Sequence, residues 1–173
     1  LESPNYHKLL FLTDMAVLPL PDFRQKIKQT NFVVKVAKSF GIAKPKVAFL
    51  AASEQVLDSM PACMEAAALA KMVDRGQISG CIADGPLALD VAIDNESVEI
   101  KKLVSPVAGD ADCLVFPNIE SANVFWKTNS KLSPGVRQAG MLVGTTAPCI
   151  LASRADSVDT KLNSIAEAVM SIL

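Results

Sequence analysis

The chain has 173 residues, of which half are hydrophobic and one fifth are charged, and its formal net charge is −1. This composition supports one globular domain with a buried core, and it argues against a disordered chain or a nucleic-acid-binding surface. The longest apolar runs fall far short of the roughly 20 residues that a membrane helix needs. Residues 1–4 lack the basic and apolar regions of a signal peptide, so we expect a cytoplasmic protein with no membrane segment.

The four cysteines and the single histidine are predicted to have structural roles. Cys63, Cys81, Cys113 and Cys149 are widely spaced and adjoin alanine, proline or aliphatic residues, which indicates buried thiols. A disulfide framework or a zinc site would need closer spacing or more histidines than His7 alone. We therefore expect no metal site.

Predicted strands and helices alternate in the first half of the chain. Residues 8–13 form a short, uninterrupted apolar run, which is typical of a strand covered on both faces. A helix is predicted to begin after Asp22 and to end at Gly41, because apolar residues recur there every three or four positions. Residues 47–51 restore strand character, and a helix rich in alanine, leucine and methionine is predicted between residues 60 and 76.

The alternation continues in the second half. A third strand is predicted at residues 78–83, where the sequence Asp84-Gly85-Pro86 breaks it. The later predictions are helical stretches before a fourth strand at 113–117, a helix at 119–130, extended segments at 141–144 and 149–151, and a helix at 157–173. One face of that last helix is apolar and carries Leu162, Ile165, Ala166, Val169 and Met170.

This alternation predicts an α/β fold in which a largely parallel or mixed sheet lies between helical layers. In such sheets ligands bind beyond the carboxyl ends of the strands, where the connecting loops converge. Three loops have distinctive chemistry, at residues 84–87, 105–112 and 153–157. No Walker-type loop or Rossmann glycine fingerprint indicates ATP or a dinucleotide.

Ser153 and Arg154 lie between an apolar segment and the last predicted helix, whose N-cap is Asp156 or Ser157. Free amides at a helix N-terminus and the planar guanidinium of arginine both suit a phosphate, so this segment outlines an anion site. The spacing alone favours a plainer interpretation, a surface arginine beside an ordinary helix cap. Asp84-Gly85-Pro86 likewise fits a simple turn.

Eight short motifs occur in the order and spacing found in phosphate butyryltransferases. They lie at residues 13–14, 45–48, 67–72 with 75–76, 84–90, 105–112, 117–123 with 127, 144–148, and 153–157 with 161 and 164. On these motifs the chain resembles the phosphate acetyl/butyryltransferase family over essentially its whole length. The resemblance implies a three-layer α/β fold like the second domain of phosphotransacetylases, which is similar to isocitrate and isopropylmalate dehydrogenases.

The activity that the resemblance implies is reversible acyl transfer, in which acyl-CoA and inorganic phosphate give acyl phosphate and free coenzyme A. The acyl group would be butyryl or similar. Coenzyme A is then a substrate, and no metal or tightly bound cofactor is implied. In the reverse direction the thiol attacks the acyl phosphate directly, which requires a base for the thiol proton and positive groups for the phosphate.

The resemblance also assigns catalytic residues. The Ser-Arg pair of the family falls on Ser153, which would hydrogen-bond near the reacting carbonyl, and on Arg154, which would hold phosphate. The aspartate that acts as the base in the acetyl branch falls on Thr160. Asp156 or Asp159 would have to replace it, although either residue also suits a capping role at the last helix.

Further residues resemble segments that line the interdomain cleft of the family and are predicted to contact substrate or shape the floor of the cleft. They are Asp84, Gly85, Pro86, Ser105, Gly109, Asn123 and Lys127. Without the resemblance, the last two are equally compatible with a solvated helix face.

Members of the family have about twice the mass of this chain, so we expect an N-terminal domain to precede Leu1. Residues 1–152 would then form an α/β domain lining one side of the cleft, and residues 153–173 would pack on the N-terminal domain. The chain alone would expose the apolar face of its last helix and show little or no activity. A homodimer or a higher homo-oligomer is expected.

Two other functions stay open. One is a non-catalytic or regulatory domain that binds acyl-CoA. The other is a metal- and NAD-dependent decarboxylating dehydrogenase, which would need convergent aspartates that the spacing of Asp84, Asp110 and Asp112 does not indicate. The acyl-chain preference cannot be predicted, because it depends on the side chains that line the pocket.

Overall fold

A four-stranded parallel sheet forms the centre of the structure, a computed structural model that describes residues 1–172. Its strands are β1 Phe11–Thr13, β2 Lys46–Leu50, β3 Ile82–Leu87 and β4 Cys113–Val115. The strand order is β1-β4-β2-β3, and every neighbouring pair is parallel. The predicted α/β fold with a largely parallel sheet is confirmed. Leu173, which ends the predicted C-terminal helix, lies outside the described residues.

Helices connect and cover these strands. They are α1 Phe23–Ser39, α2 Pro61–Asp74, α3 Leu89–Ile93, α4 Asn95–Lys101, α5 Ile119–Leu132 and α6 Val158–Met170. Helix α1 starts with a capping box. The Asp22 carboxylate accepts a hydrogen bond from the Gln25 amide, and the Gln25 side chain accepts one from the Asp22 amide, both at 2.8 Å. The helix ends, as predicted, next to Gly41 with φ +88°. No helix in residues 1–172 is long and apolar enough to cross a membrane.

The core lies on both faces of the sheet. In β2, Val47 and Phe49 join a cluster that includes residues of α1 and α2, while Ala48 and Leu50 join a second cluster with residues of α3, α5 and the loop before β4. This alternation follows from the period of two along a strand. Because both faces are covered, β2 reads as a continuous apolar run in the sequence.

The predicted boundaries of the third strand were wrong. The structure begins β3 at Ile82, and the strand continues to Leu87 through Asp84, Gly85 and Pro86, where the sequence predicted a break. The strand tolerates proline because β3 is an edge strand of the sheet, where one side of the backbone needs no partner. Gly85 is required for another reason, since a Cβ atom there would lie 2.7 Å from the Cβ of Phe49.

A short antiparallel hairpin, β5 Met141–Leu142 with β6 Cys149–Ile150, stands apart from the main sheet. Cys63, Cys81 and Cys113 are buried as predicted, but Cys149 is exposed, so the prediction of a fourth buried thiol was wrong. The sequence around Cys149 is apolar, but both residues of β6, Cys149 and Ile150, are exposed.

The apolar face of α6 points mostly to solvent. Leu162, Ile165 and Val169 are between 48% and 58% exposed, whereas the small residues Ser164 and Ala168 are buried. The inner contact of α6 is therefore made by small side chains. Its larger apolar residues are left on the surface.

Charged side chains fix the N-terminal segment to the amino ends of β2 and β4. The Asp110 carboxylate accepts hydrogen bonds from Lys8, Lys46 and His7, each at 2.8 Å. Lys8 also pairs with Asp112 at 2.9 Å. Burial alone would raise the pKa of Asp110, but the hydrogen bonds from Lys46, Lys8 and His7 outweigh it and hold the pKa below its ordinary value. His7 therefore has a structural contact.

We predict that Asp110→Asn destabilises the chain by about 1–2 kcal/mol near pH 7, after allowance for the partial exposure of this carboxylate. Because the folded state lowers the pKa of Asp110, its contribution is complete above the ordinary value, roughly 3.9, and is lost as pH falls towards the lowered value. Chemical unfolding near pH 7 and near pH 2 measures the difference, which should shrink in acid.

The matched control is Asp74→Asn, since Asp74 forms an exposed pair with Lys71 at 3.1 Å on the surface of α2. This control should change the free energy of unfolding by less than about 0.5 kcal/mol. An equal decrease in the free energy of unfolding for the two variants near pH 7 would show that the Asp110 network stabilises the fold no more than an ordinary surface ion pair does.

Candidate active site

A cavity of about 760 Å³ lies along β1. The three residues of β1 all line it, because β1 is an edge strand whose only partner in the sheet is β4. The other walls come from the loop after β1, one face of α1, α5, the hairpin segment and α6. Its volume is within the range of small-molecule pockets, roughly 300–1,000 Å³, and most of its lining is apolar.

The loop after β1 is fixed by two side chains that also line the cavity. The Asp14 carboxylate accepts hydrogen bonds from the backbone amides of Ala16, Val17 and Leu18 at 2.9–3.1 Å. Asn123 on α5 donates from Nδ2 to the Met15 carbonyl at 3.0 Å. Asn123, a predicted substrate contact, therefore positions the loop. The role of Asp14 was not predicted, although an aspartate directly after an apolar strand is a signal for such a loop.

Ser153 lies in the cavity wall, in a turn that precedes α6. Its amide donates to Oδ2 of Asp156 at 2.7 Å, and its carbonyl accepts from the Asp156 amide at 3.1 Å. The N-cap of α6 is Ser157, whose hydroxyl accepts from the Thr160 amide at 3.1 Å. Of the two proposed capping residues, Ser157 is thus the cap, and Asp156 holds the Ser153 turn.

Positive charge reaches this region from α5. Lys127 lines the cavity, and one turn later Lys131 donates to the Ala155 carbonyl at 3.4 Å. On α1, Lys28 also lines the cavity. Lys28 and Lys127 form no ion pair with another residue in the described part of the chain. The cavity wall therefore contains two lysine side chains that can form ion pairs with an anionic ligand.

The structure brings together only some of the predicted site residues. Four of them line the cavity, namely Asn123, Lys127, Ser153 and Asp156. Arg154 and Asp159 follow in the same turn and helix but are exposed and do not line it. In residues 1–172 no group of three or more His, Cys, Asp or Glu side chains is placed to hold a metal ion.

The other predicted contacts lie outside the cavity. Asp84, Gly85 and Pro86 are inside β3, at the opposite edge of the sheet from β1. Ser105 accepts hydrogen bonds from two amides of its own loop, at 3.1 and 3.2 Å. Gly109 packs so closely on α4 that a Cβ atom would lie 2.0 Å from Oδ1 of Asn95. These residues have structural roles, and their contact with substrate stays a prediction.

One acidic side chain in the cavity wall is largely buried. Glu167 lines the cavity, and within the described residues its Oε2 atom has no hydrogen-bond partner. Burial raises the pKa of Glu167 above its ordinary value, because the charged form loses its hydration.

The family described as "Phosphate acetyl/butaryl transferase" matches residues 2–169 of the chain. The chain belongs to this phosphate acetyl/butyryltransferase family. It is 48% identical over 169 residues to a phosphate butyryltransferase of Clostridium acetobutylicum, a match that covers 98% of this chain and 56% of that protein. A phosphate acetyltransferase of Thermotoga maritima is 43% identical over 166 residues, which cover 96% of this chain and 56% of that protein. The motif-based resemblance is confirmed.

Solved structures of phosphotransacylases share the fold. A branched-chain phosphotransacylase from Enterococcus faecalis V583 superposes with a TM-score of 0.85 at 33% identity, over 93% of this chain and 57% of that one. A phosphotransacetylase from Streptococcus pyogenes gives a TM-score of 0.74 at 25% identity, over 93% of this chain and 49% of that one. The chain spans about half the length of these family members. Similarity to isocitrate and isopropylmalate dehydrogenases stays a prediction.

We predict that Glu167→Gln stabilises the chain by about 1 kcal/mol near pH 7, which corresponds to a Tm increase of about 2–4 °C. The folded state raises the pKa of Glu167, so the ionised carboxylate costs stability above its ordinary pKa of roughly 4.3, and this cost disappears in acid. The gain should therefore vanish near pH 3. Thermal unfolding at both pH values measures it.

Glu99→Gln is the control, because Glu99 is exposed on α4. This variant should leave the Tm nearly unchanged at both pH values. A lower Tm of Glu167→Gln near pH 7 would mean that the folded chain stabilises the ionised Glu167, and it would refute the prediction.

Proposed function

We propose that this chain supplies one wall of the active site of a phosphate acyltransferase, which transfers a butyryl or similar short acyl group reversibly between coenzyme A and inorganic phosphate. The observation that carries the proposal is the position of Ser153. In a chain of this family, the serine of the predicted Ser-Arg pair lies in the wall of a cavity that Lys127 also lines.

In the proposed reaction the thiol of coenzyme A attacks the carbonyl carbon of the acyl phosphate. The new carbon–sulfur bond replaces the carbon–oxygen bond to phosphate, which leaves with the bonding electron pair. Ser153 donates a hydrogen bond near the reacting carbonyl, and Arg154 holds the phosphate. Lys127 adds positive charge on the facing helix.

The thiol proton requires a base, for which the sequence offers Asp156 or Asp159. Asp156 is the better candidate because it lines the cavity, whereas Asp159 is exposed in the first turn of α6. Its Oδ2 atom already accepts from the Ser153 amide. A single carboxylate would thus hold the serine in place and accept the proton from the thiol.

The wider assembly is also part of this proposal. Residues 1–152 would line one side of a cleft, and residues 153–173 would pack on a further domain. Exposed apolar residues on α6, such as Val158 at 71% and Leu162 at 58%, support a covered position for this helix. We propose that the enzyme works in the cytoplasm as a homodimer or a higher homo-oligomer, with acyl-CoA or coenzyme A and phosphate as its reaction partners.

The test is phosphate-dependent thiol release from butyryl-CoA. It should be measured on this chain and on a chimera that joins to it the part of the Clostridium acetobutylicum relative that this chain does not match. We expect activity from the chimera and little or none from the chain alone. A folded chimera that binds butyryl-CoA without releasing thiol would favour a non-catalytic acyl-CoA-binding domain instead.

In the active chimera, Arg154→Gln should lower kcat/KM for phosphate by roughly 100-fold or more, because a charge that stabilises the phosphate is lost. The matched control is Arg24→Gln, since Arg24 is exposed on α1 and does not line the cavity. The control should keep full activity. If both variants retained it, Arg154 would not hold the phosphate.

A further inference from the structure

The cavity beside Ser153 is larger than a four-carbon acyl group requires. Four carbon atoms, each given roughly the 30 Å³ that one water molecule occupies in the liquid, fill only about 120 Å³. The cavity has a volume of about 760 Å³. Space therefore remains for a longer apolar chain.

We propose that this cavity binds the acyl chain of the substrate along α1, that it accepts chains longer than four carbons, and that Phe32 and Val36 limit their length. The proposal rests on the proposed function, because acyl transfer supplies a ligand that has both an anionic group and an apolar chain.

One face of α1 changes from polar to apolar along its length. Gln25, Lys28 and Gln29 line the cavity near the start of the helix, and Phe32 and Val36 line it one and two turns later. Residues four apart lie on the same side of a helix. This face therefore matches a ligand whose polar end lies towards the start of α1 and whose apolar chain runs towards its C-terminus.

Groups that can bind an anion line the same cavity, since Ser153 and Lys127 lie in its wall. On α5, Asn123 holds the loop after β1, and Lys131 contacts the Ala155 carbonyl two turns later. Eight residues of helix span about 12 Å. The same helix thus contacts both the loop after β1 and the turn that contains Ser153, and Ser153 lines the cavity together with Gln25 and Lys28 of α1.

The apolar wall at Phe32 is in close contact with the hairpin. Gly144, in the turn of the hairpin, packs against the ring so closely that a Cβ atom would lie 2.8 Å from Cζ of Phe32. Gly144 also has φ +91°, a conformation that other residues adopt at a cost. The Phe32 ring therefore lies directly against the turn of the hairpin, in the wall of the cavity.

A buried amide on the same wall agrees with this arrangement. Gln29 is 6% exposed, and in residues 1–172 neither its Nε2 nor its Oε1 atom has a hydrogen-bond partner. Buried amides are almost always paired in native proteins. A ligand carbonyl next to the acyl chain would supply an acceptor one turn before Phe32.

Binding can be measured on this chain without turnover. Trp126, the only tryptophan in the sequence, lines the cavity, so its fluorescence should report occupation. The probes are saturated acyl-CoA thioesters from four to ten carbons, with free coenzyme A as the reference. We expect the affinity to rise about fourfold with each added methylene up to a limiting length, which is the fold-change that about 0.8 kcal/mol per buried CH₂ gives.

Val36→Phe should shorten the limiting length and weaken binding of the longest thioester at least tenfold, while butyryl-CoA binds as before. The control is Val124→Phe, the same change at a 65% exposed position of α5. This variant should show the same dependence of affinity on chain length as the unmodified chain. If circular dichroism shows that Val36→Phe does not fold, Ala166→Phe on the α6 wall tests the same limit.

The possible results separate this proposal from the proposed function. An affinity that does not depend on chain length, or a folded Val36→Phe or Ala166→Phe variant with an unchanged profile, would overturn the acyl-chain site even if the chimera released thiol. An affinity that rises with chain length, together with a shorter limiting length in the cavity variants, would support the acyl-chain site even if the chimera released no thiol. The proposed function alone would fail in that case.

Discussion

Burial of β2 on both faces is the constraint on which the rest of the fold depends. Val47 and Ala48 are fully buried although they point to opposite faces, so each face of the sheet must carry its own layer. The helices α1 and α2 supply one layer, while α3, α5 and the loop before β4 contribute to the other. With β2 and β4 in the middle, β1 and β3 become the edges.

The edge position of β1 explains where the cavity lies. Phe11 donates to the Asp112 carbonyl, and Thr13 accepts from the Phe116 amide, so both residues face β4. Since hydrogen bonding alternates along a strand, the backbone of Leu12 faces the free edge. Leu10 on the same edge is paired with Leu1. The cavity lies along this edge, and Leu1 and Leu10 line it together with β1.

The fold could be predicted wherever one local signal dominated. The apolar run of β2 and the spacing of apolar residues in α1 identified those elements, but the Gly85-Pro86 pair of β3 indicated a turn. Glycine and proline mark turns in most sequences, and only the order of the strands reveals that β3 is an edge that tolerates them. Strand order depends on contacts between distant residues, which local patterns do not contain.

Local sequence patterns were also insufficient to predict the whole candidate active site. The motifs brought Ser153, Asn123 and Lys127 to attention, and the structure places them on one cavity. The motifs also included Gly85 and Gly109. The absence of a side chain at these two glycines makes room for Phe49 of β2 and for Asn95 of α4. A glycine that allows close packing and one that admits a ligand look alike in a sequence. Only the coordinates of the neighbouring atoms distinguish the two.

The attachment of α6 determines how firmly Ser153 is held. The buried residues of α6, Ser164 and Ala168, are small, and burial of small side chains contributes little, since the hydrophobic contribution follows the apolar area removed from water. Hydrogen bonds also attach α6 to the rest of the chain, including one from the Gly140 amide to the Ser164 hydroxyl at 2.9 Å. A domain packed on the outer, apolar face of α6 would bury more apolar area and hold the helix more firmly. In the proposed enzyme, the same contact that buries this face would therefore also fix the turn that carries Ser153 and Arg154.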